Sequence, residues 1–383
     1  MRGSVDIVIA GGGAVGSAIA YFLARDPAFR RSVAIVEPDP SYEFAASARS
    51  ASSIRRQFST PLNIALSEFG WQFLQAIPAV GLVESSYLLL ATHSGLAGLR
   101  QNIDLQHRCG VPAQLHGPQE LARRYPWLQV GDLAAGADTT SGEGWFDGYA
   151  LLRSLRTANE HRGVRYVRDR VAAIDMRATG TVGAVRLKGG DALSCRTLVL
   201  AAGTGSRALA EQAGIDLPVF ARKRNVFVFE CATKIPQCPL VVDTSGLWFR
   251  PEGERFICGP VAVADPDVAP DDFDVDHGQF DELAWPALAH RVPAFEAVRV
   301  TGAWAGHYDY NVFDQNAFVG PCEAVPNLIL ASGFSGHGLQ QAPGIGRALA
   351  EYITYGEYRT IDVTPFSYAR YARGEPLREH NVI

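Results

Sequence analysis

The chain has 383 residues and a formal net charge of −5, with 35 Lys and Arg residues against 40 Asp and Glu residues. Chains of this length usually divide into two lobes, because single hydrophobic cores stop growing at about 250–300 residues. The charge balance provides no basic face for nucleic acid and no polybasic membrane anchor. We therefore expect a small molecule as the partner.

Cysteine usage and the apolar pattern predict a cytoplasmic protein without a metal site. The sequence has no C-x-x-C pair and no His/Cys cluster at zinc-ligand spacing, so we expect neither a metal site nor a disulfide framework. Apolar strand-like sequence begins at Val5, which leaves no room for a targeting peptide. No apolar run reaches the roughly 18 residues that a membrane-spanning helix needs.

The first forty residues predict a strand–turn–helix–strand unit. An apolar run at 5–10 precedes three glycines, good helix formers follow at 14–24, and a second apolar run at 32–37 ends on Glu37. Within this unit Gly11-x-Gly13-x-x-Gly16 has the spacing of a dinucleotide-binding turn.

Each residue of this motif has a mechanical role. Gly11 allows the sharp turn, Gly13 lets the backbone contact a pyrophosphate, and Gly16 permits close helix packing. The following helix, starting at Ala14 and Val15, offers N–H groups to the anion. Glu37, followed by Pro38, can accept hydrogen bonds from a ribose, and its charge disfavours a 2′-phosphate. The motif alone does not distinguish FAD from NAD.

The remaining elements are predicted in chain order. Small polar residues at 45–53 are typical of a loop whose backbone approaches a flat ligand, although a solvated linker is the alternative. Asp147 is expected to cap a helix. Helices are predicted at 61–77, 95–109, 118–125, 149–161 and 345–353. Strands are predicted at 83–92, 164–167, 171–176, 182–187, 198–201, 225–230, 247–250, 256–259 and 328–331, and a glycine-rich turn at 332–341.

With these segments the chain resembles the D-amino-acid oxidase/sarcosine oxidase superfamily of FAD-dependent oxidoreductases. The resemblance rests on the N-terminal unit with Glu37, on the loop 46–51, on the strand end 198–203 and on the segment 333–340. It is strongest to the group of FAD-dependent oxidoreductase domain-containing proteins that includes a mitochondrial complex I assembly factor. The stretches 57–59, 144–147, 303–311, 334–347 and 361–366 carry that closer likeness.

The resemblance implies an α/β fold with two discontinuous domains. A Rossmann-like FAD-binding domain of the glutathione-reductase type is expected from residues 1–82, 145–217 and 320–383. An α+β substrate domain with a large, mostly antiparallel sheet is expected from residues 83–144 and 218–319.

The resemblance also implies which residues bind FAD. Those that carry over, together with the residues of the N-terminal motif, are Gly11, Gly13, Ala14, Val15, Gly16, Glu37, Pro38, Ser47, Arg49, Ser50, Ala51, Ser52, Val171, Ala202, Gly203, Gly336, His337, Gly338, Leu339 and Gln340. Gly336 to Gln340 would bring main-chain N–H groups to the part of the flavin that gains negative charge on reduction. His337 contributes either its backbone alone or its side chain as well.

Two departures from the family pattern matter. Some relatives tether FAD through a cysteine where this chain has Gly306, so we expect noncovalent FAD. Oxidases of the family carry a lysine over the flavin where this chain has Ile257, and an alkyl group supplies no charge to favour reduction of O₂. We therefore expect a dehydrogenase whose acceptor is a quinone or another carrier, with O₂ as the alternative.

The family's reaction is hydride transfer from the C–H bond beside an amine to flavin N5, which gives an imine. A small amino-acid substrate needs an arginine for its carboxylate, and the candidates are Arg55, Arg56 and Arg224, although Arg224 also fits a surface charge. Trp248 and Tyr308 are expected either to line the substrate pocket or to pack in the core. The remaining alternatives are a flavoprotein scaffold with little turnover and an NAD-linked dehydrogenase, which would be colourless.

Overall fold

The computed structural model describes residues 2–261 and 264–380. The α-helices of these residues are α1 (Ala14–Arg25), α2 (Pro61–Gln75), α3 (Leu96–Arg108), α4 (Pro118–Arg124), α5 (Gly148–His161), α6 (Ser206–Gln212), α7 (Trp285–Arg291), α8 (Gly338–Tyr355) and α9 (Ala369–Ala372). Short 3₁₀ turns span Pro78–Val80, Gly203–Gly205, Pro293–Glu296 and Thr364–Phe366, and a π turn spans Phe280–Ala284.

The strands are β1 (Arg2–Ala10), β2 (Val33–Glu37), β3 (Ser53–Ile54), β4 (Val83–Glu84), β5 (Tyr87–Ala91), β6 (Ala113–His116), β7 (Ala135–Thr139), β8 (Gly144–Trp145), β9 (Arg165–Arg168), β10 (Val171–Met176), β11 (Val182–Leu187), β12 (Ala192–Leu200), β13 (Val219–Cys231), β14 (Leu240–Val242), β15 (Trp248–Glu252), β16 (Arg255–Gly259), β17 (Val298–Asn311), β18 (Phe318–Cys322) and β19 (Val325–Ser332).

The first sheet has a parallel centre in which β9, β2, β1, β12 and β19 lie side by side. The pair β10–β11 adds antiparallel strands beside the start of β12, and β18 pairs antiparallel with β19. Successive residues of β1 enter cores on opposite faces, with Val8 on one side and Ile7 and Ile9 on the other. Because both faces are buried, these strands are nearly continuous apolar runs.

Parallel pairing brings the carboxyl ends of β1, β2, β12 and β19 to one edge of the sheet. Gly11 directly follows β1, and Gly333 directly follows β19. Strand β2 ends on Glu37, and Ala202 lies two residues after the end of β12. Gly333, respectively. Ligands of open α/β sheets bind at the carboxyl ends of strands, so this edge is where a nucleotide is expected.

Helix α8 is longer than the sequence predicts, because it begins at Gly338 rather than near residue 345. The predicted glycine-rich turn is correspondingly shorter. The helix contains Pro343, yet Leu339, Ala342 and Ile345 are buried. Tertiary burial of this apolar face outweighs the poor intrinsic helix propensity of glycine and proline.

The second sheet has the order β17-β13-β16-β15-β14-β5-β7-β6 and is antiparallel except for the pair β14–β5. Its longest pairing runs from Val219 opposite Asn311 to Cys231 opposite Val298. One face is covered with Phe227, Phe249 and the residues of α7. The other face carries Trp304, Gly306 and Tyr308 toward the loop 46–52.

The expected α/β class with a mostly antiparallel second sheet is confirmed. The predicted strand 225–230 is shorter than β13, and β17 was not predicted; the first residues of β17 are largely exposed, and the alternation of Val298, Arg299 and Val300 is short. A small third sheet joins β3, β8 and β4. The domain boundaries remain a prediction.

Within residues 2–261 and 264–380, no helix combines the length and the apolar character needed to cross a bilayer. The cytoplasmic location remains a prediction.

A buried ion-pair network ties α7 to the second sheet. The Arg291 side chain is fully buried; its two terminal nitrogens donate to the Asp132 carboxylate at 2.8 and 2.9 Å, and its Nε donates to Asp243. Hydrogen bonds from Arg291 lower the pKa of Asp132 to about 2. Removing one member of such a network leaves the other charges buried without a partner.

We expect Arg291→Met to lower the free energy of unfolding by about 3–5 kcal/mol, because Asp243 loses its cation inside the protein. The control is Arg299→Met, which breaks the exposed pair with Glu230 and should cost about 0–1 kcal/mol. Chemical denaturation measures both. Equal losses in the two variants would contradict a structural role for the buried network.

Candidate functional site

The first glycine turn combines two residues required by packing with one that faces open space. A Cβ on Gly11, whose φ is +102°, would lie 2.2 Å from the Ala201 carbonyl oxygen. A Cβ on Gly16 would lie 2.0 Å from the Gly11 carbonyl oxygen. The Cβ of Gly13 would meet only the Ser47 Oγ, at 3.6 Å. The position of Gly13 is therefore left open for a ligand, as the pyrophosphate role requires.

The N-terminus of α1 and Glu37 complete this cradle. The Ala14 N–H donates to the Ser47 Oγ at 3.1 Å, and Val15 follows in the same helical turn. The Glu37 carboxylate accepts the Gly12 N–H at 2.8 Å and the Asp39 N–H at 3.0 Å. Burial raises the pKa of Glu37, against the opposing effect of these hydrogen bonds.

The loop 46–52 crosses from the first sheet to the second and is fastened to the second at several points. The Trp304 Nε1 donates to the Arg49 carbonyl oxygen at 2.8 Å. The Arg49 guanidinium donates to the carbonyl oxygens of Ala305 and Glu43 at 2.9 and 2.8 Å. Ser52 has a φ of +53°, a conformation that is uncommon for a residue with a side chain. The Arg49 side chain thus holds the loop, and its backbone and Ser50–Ser52 border the adjacent space.

The second glycine segment is fixed by a buried carboxylate. The Gly333 N–H donates to the Asp309 Oδ2 at 2.7 Å, and burial raises the pKa of Asp309 to about 6 against backbone hydrogen bonds that lower it. A Cβ on Gly336, whose φ is +91°, would lie 2.5 Å from the Tyr308 ring. Gly338 then opens α8, so Leu339 and Gln340 lie in its first turn.

The remaining predicted cofactor residues lie on the first sheet or directly after it. Ala202 and Gly203 follow β12 and begin a 3₁₀ turn, and Gly203 has a φ of +54°. Val171 begins β10 and is buried. Pro38 directly follows β2. Their contacts with FAD remain predictions.

Two cavities lie between the loop 46–52 and the second sheet. The tyrosine cavity, of about 260 Å³, is lined by Tyr308, Tyr310, Arg224 and Trp248. The tryptophan cavity, of about 460 Å³, is lined by Trp145, Trp304, Arg250 and Ile257. Ser50 and Ala51 line both.

Of the three predicted arginines, Arg55 lies closest to the second glycine segment. Its backbone N–H donates to the Gln340 Oε1 at 3.0 Å, and its guanidinium lies 3.3 Å from the His337 Nε2. The guanidinium also lies over the Phe58 ring, 4.4 Å from the ring centroid. Burial and the Arg55 charge lower the pKa of His337 well below its ordinary value.

The other two arginines are held by acidic side chains. The Arg56 guanidinium donates to Glu68 at 2.7 Å and to the Ser141 carbonyl oxygen. Arg224 makes a two-pronged contact with Asp265, at 2.6 and 2.8 Å, while lining the tyrosine cavity. The structure therefore brings Arg55, His337 and Tyr308 to the second glycine segment, and it places Arg56 away from both cavities.

Sequence reasoning missed Asp309, Asp265 and Arg250. Asp309 was the single acid in an aromatic stretch, which is a weak signal for a buried anchor. Asp265 lies in an irregular segment, and nothing in the sequence links it to Arg224. Among the residues that the structure describes, no cluster of His, Cys, Asp and Glu could hold a metal ion.

The geometry defines a two-domain, dinucleotide-binding oxidoreductase, in which an open glycine and an acidic strand end fit the pyrophosphate and ribose of FAD. The family model described as FAD dependent oxidoreductase (DAO) matches residues 6–352. The chain belongs to this family, and its cofactor is FAD. The predictions of family and cofactor are thus confirmed.

Similar proteins agree with this assignment. FAD-dependent oxidoreductase domain-containing protein 1 of Xenopus laevis is 38% identical over 424 residues, which cover 99% of this chain and 85% of that protein. L-proline dehydrogenase from P. horikoshii superposes with a TM-score of 0.86 at 22% identity, covering 98% of this chain and 100% of that chain. Glycine oxidase from Geobacillus kaustophilus gives 0.81 at 23% identity, covering 95% and 98%.

The open face at Gly13 can be tested with Gly13→Leu. The Leu side chain has room in the protein itself but would fill the space for the pyrophosphate, so we expect the Kd for FAD to rise roughly a hundredfold or more without loss of folding. The matched control is Gly117→Leu, because Gly117 also precedes a helix in extended conformation and faces open space. Titration of FAD-free protein measures the Kd. Full FAD binding by Gly13→Leu would contradict the cradle.

Asp309 predicts a specific pH dependence. Because its pKa in the folded protein, about 6, exceeds the ordinary 3.8, this group stabilises the fold at low pH, and that stabilisation is lost as the pH rises through 6. The advantage of Asp309→Asn over the wild type should therefore grow by on the order of 2–3 kcal/mol between about pH 4.5 and pH 7.5. Denaturation at fixed FAD concentration measures it. The exposed Asp104→Asn should show no such trend, and a flat difference for Asp309→Asn would contradict the assignment.

Proposed function

We propose that this protein is a dehydrogenase that oxidises the C–H bond beside the amine of a small amino acid. The observation that carries this proposal is the tyrosine cavity beside the cluster of Arg55, His337 and Tyr308. A cavity with aromatic walls and a few polar groups suits a small organic substrate. The FAD-contacting loop and the second glycine segment both border it.

FAD, when bound, supplies the hydride acceptor, so the protein needs only to position the substrate and hold protons in place. Burial raises the pKa of Tyr308, which keeps its phenol neutral at physiological pH, against the opposing charges of Arg224 and Arg55. A neutral phenol can donate a hydrogen bond to the substrate or accept one from its amine.

His337 positions Arg55. A guanidinium can only donate hydrogen bonds, so the His337 Nε2 accepts from the Arg55 Nη2, and the imidazole proton is on Nδ1. The lowered pKa of His337 keeps the ring neutral and suited to this role. We infer that this contact orients the planar Arg55 fork toward the carboxylate of the substrate.

The dehydrogenase assignment is supported by Ile257, which lines the tryptophan cavity with an alkyl side chain. Such a side chain provides no charge that would favour reduction of O₂. Noncovalent FAD is supported by the cavity linings, since neither cavity has a cysteine among its described residues.

The proposal is tested by anaerobic reduction of bound flavin, followed by absorbance, with sarcosine, glycine and proline and with amines that lack a carboxylate. We expect at least one amino acid to bleach the flavin, and reoxidation in air to be slow compared with an artificial acceptor. In Arg55→Met the KM for the amino acid should rise about tenfold or more, as expected for a lost charge-assisted contact. The KM for the carboxylate-free amine should not change.

Arg56→Met is the matched control, because the neighbouring arginine contacts Glu68 and lies outside both cavities. It should alter stability without altering the discrimination between amino acids and amines. If no amine or amino acid bleaches the flavin, the alternative of a flavoprotein scaffold with little turnover replaces this proposal.

A further inference from the structure

The larger of the two cavities has no role in the substrate chemistry described above. The tryptophan cavity lies on the far side of Ser50 and Ala51 from the tyrosine cavity, and its volume of about 460 Å³ is in the range of small-ligand sites. Its lining combines aromatic rings with one buried cation. It therefore has the character of a second binding site.

We propose that the tryptophan cavity binds the ring of a quinone, the electron acceptor of this enzyme. The inference rests on the proposed function, because an acceptor is needed only if the protein oxidises a substrate. The indoles of Trp145 and Trp304 and the ring of Phe146 line the cavity, and flat aromatic walls suit a planar ring.

Arg250 provides the polar contact that a quinone requires. Its side chain is 4% exposed, and its guanidinium lies 5.0 Å from the centroid of the Trp145 ring. One terminal nitrogen donates to the Ala51 carbonyl oxygen at 2.7 Å, and the other donates to Pro251 and Glu252. In the part of the chain that the structure describes, its Nε has no hydrogen-bond partner. A buried guanidinium stabilises the negative charge that a quinone oxygen gains on reduction.

The wall between the two cavities is thin. Ser50 and Ala51 line both, so small side chains and one stretch of backbone separate them. The same stretch is the one assigned to the flavin by family resemblance. Substrate and acceptor can thus occupy different cavities beside one cofactor, and Ile257 makes the acceptor side apolar rather than suited to O₂.

The redox balance closes with a quinone as oxidant. Oxidation of the substrate C–H and N–H bonds to a C=N bond releases two electrons and two protons. The quinone takes up two electrons and two protons, so that each carbonyl becomes a hydroxyl and the product is a hydroquinone. Arg250 keeps its protons throughout; the two protons are exchanged with water through the open mouth of the cavity.

Binding is tested by equilibrium dialysis of the FAD-loaded protein with 2,3-dimethoxy-5-methyl-1,4-benzoquinone. The blocking variant is Ala79→Phe, since Ala79 is exposed and lines the cavity; Val83→Phe provides a second block from the opposite rim. Ala76→Phe is the matched control, an exposed alanine outside the lining. We expect the Kd to rise roughly tenfold or more in both blocking variants and to stay unchanged in the control.

A second readout separates this inference from the proposed function. Flavin reduced with dithionite, without any amine, is mixed with the quinone, and its reoxidation should slow in the blocking variants while FAD content and amine-driven reduction stay at wild-type values. The inference is overturned if the wild type binds no quinone, if blocking leaves its Kd unchanged, if amino acid and quinone compete, or if the blocking variants lose FAD. Failure of every amine to reduce the flavin would overturn the proposed function alone.

Discussion

The site depends on the parallel pairing of β12 with β1 on one side and β19 on the other. Val199 of β12 lies opposite both Ile9 and Ile329, and all three side chains are buried. This pairing brings segments more than 300 residues apart in the chain to one sheet edge. The two glycine turns can serve one cofactor only because these strands share a direction, so the sheet core fixes the cofactor site.

The second requirement is that the loop 46–52 be fastened to the antiparallel sheet. Hydrogen bonds from Trp304, Arg49 and Arg250 connect the loop to that sheet through three backbone carbonyl oxygens. Buried charge-assisted bonds are costly to leave unmade, so the loop keeps a defined position despite its small side chains. The division of the interface into two cavities follows from this anchored loop.

Local patterns predicted much of this architecture. The strand–turn–helix unit, Glu37 at its strand end and the Asp147 cap on α5 follow from residues that act over short distances. The early start of α8 could not be read from its glycines and Pro343, because its stability comes from burial against distant elements. The same limit applies to the site. Asp309, Asp265 and Arg250 act on partners remote in sequence, and a single charged residue gives no sign of its partner.

The most direct test of the account is the structure of the protein with FAD bound. We predict the pyrophosphate against Gly13 and the N-terminus of α1, the ribose hydroxyls at Glu37, and the isoalloxazine ring between the loop 46–52 and Gly336–Gln340. A cofactor that contacts only one of the two glycine segments would contradict the account.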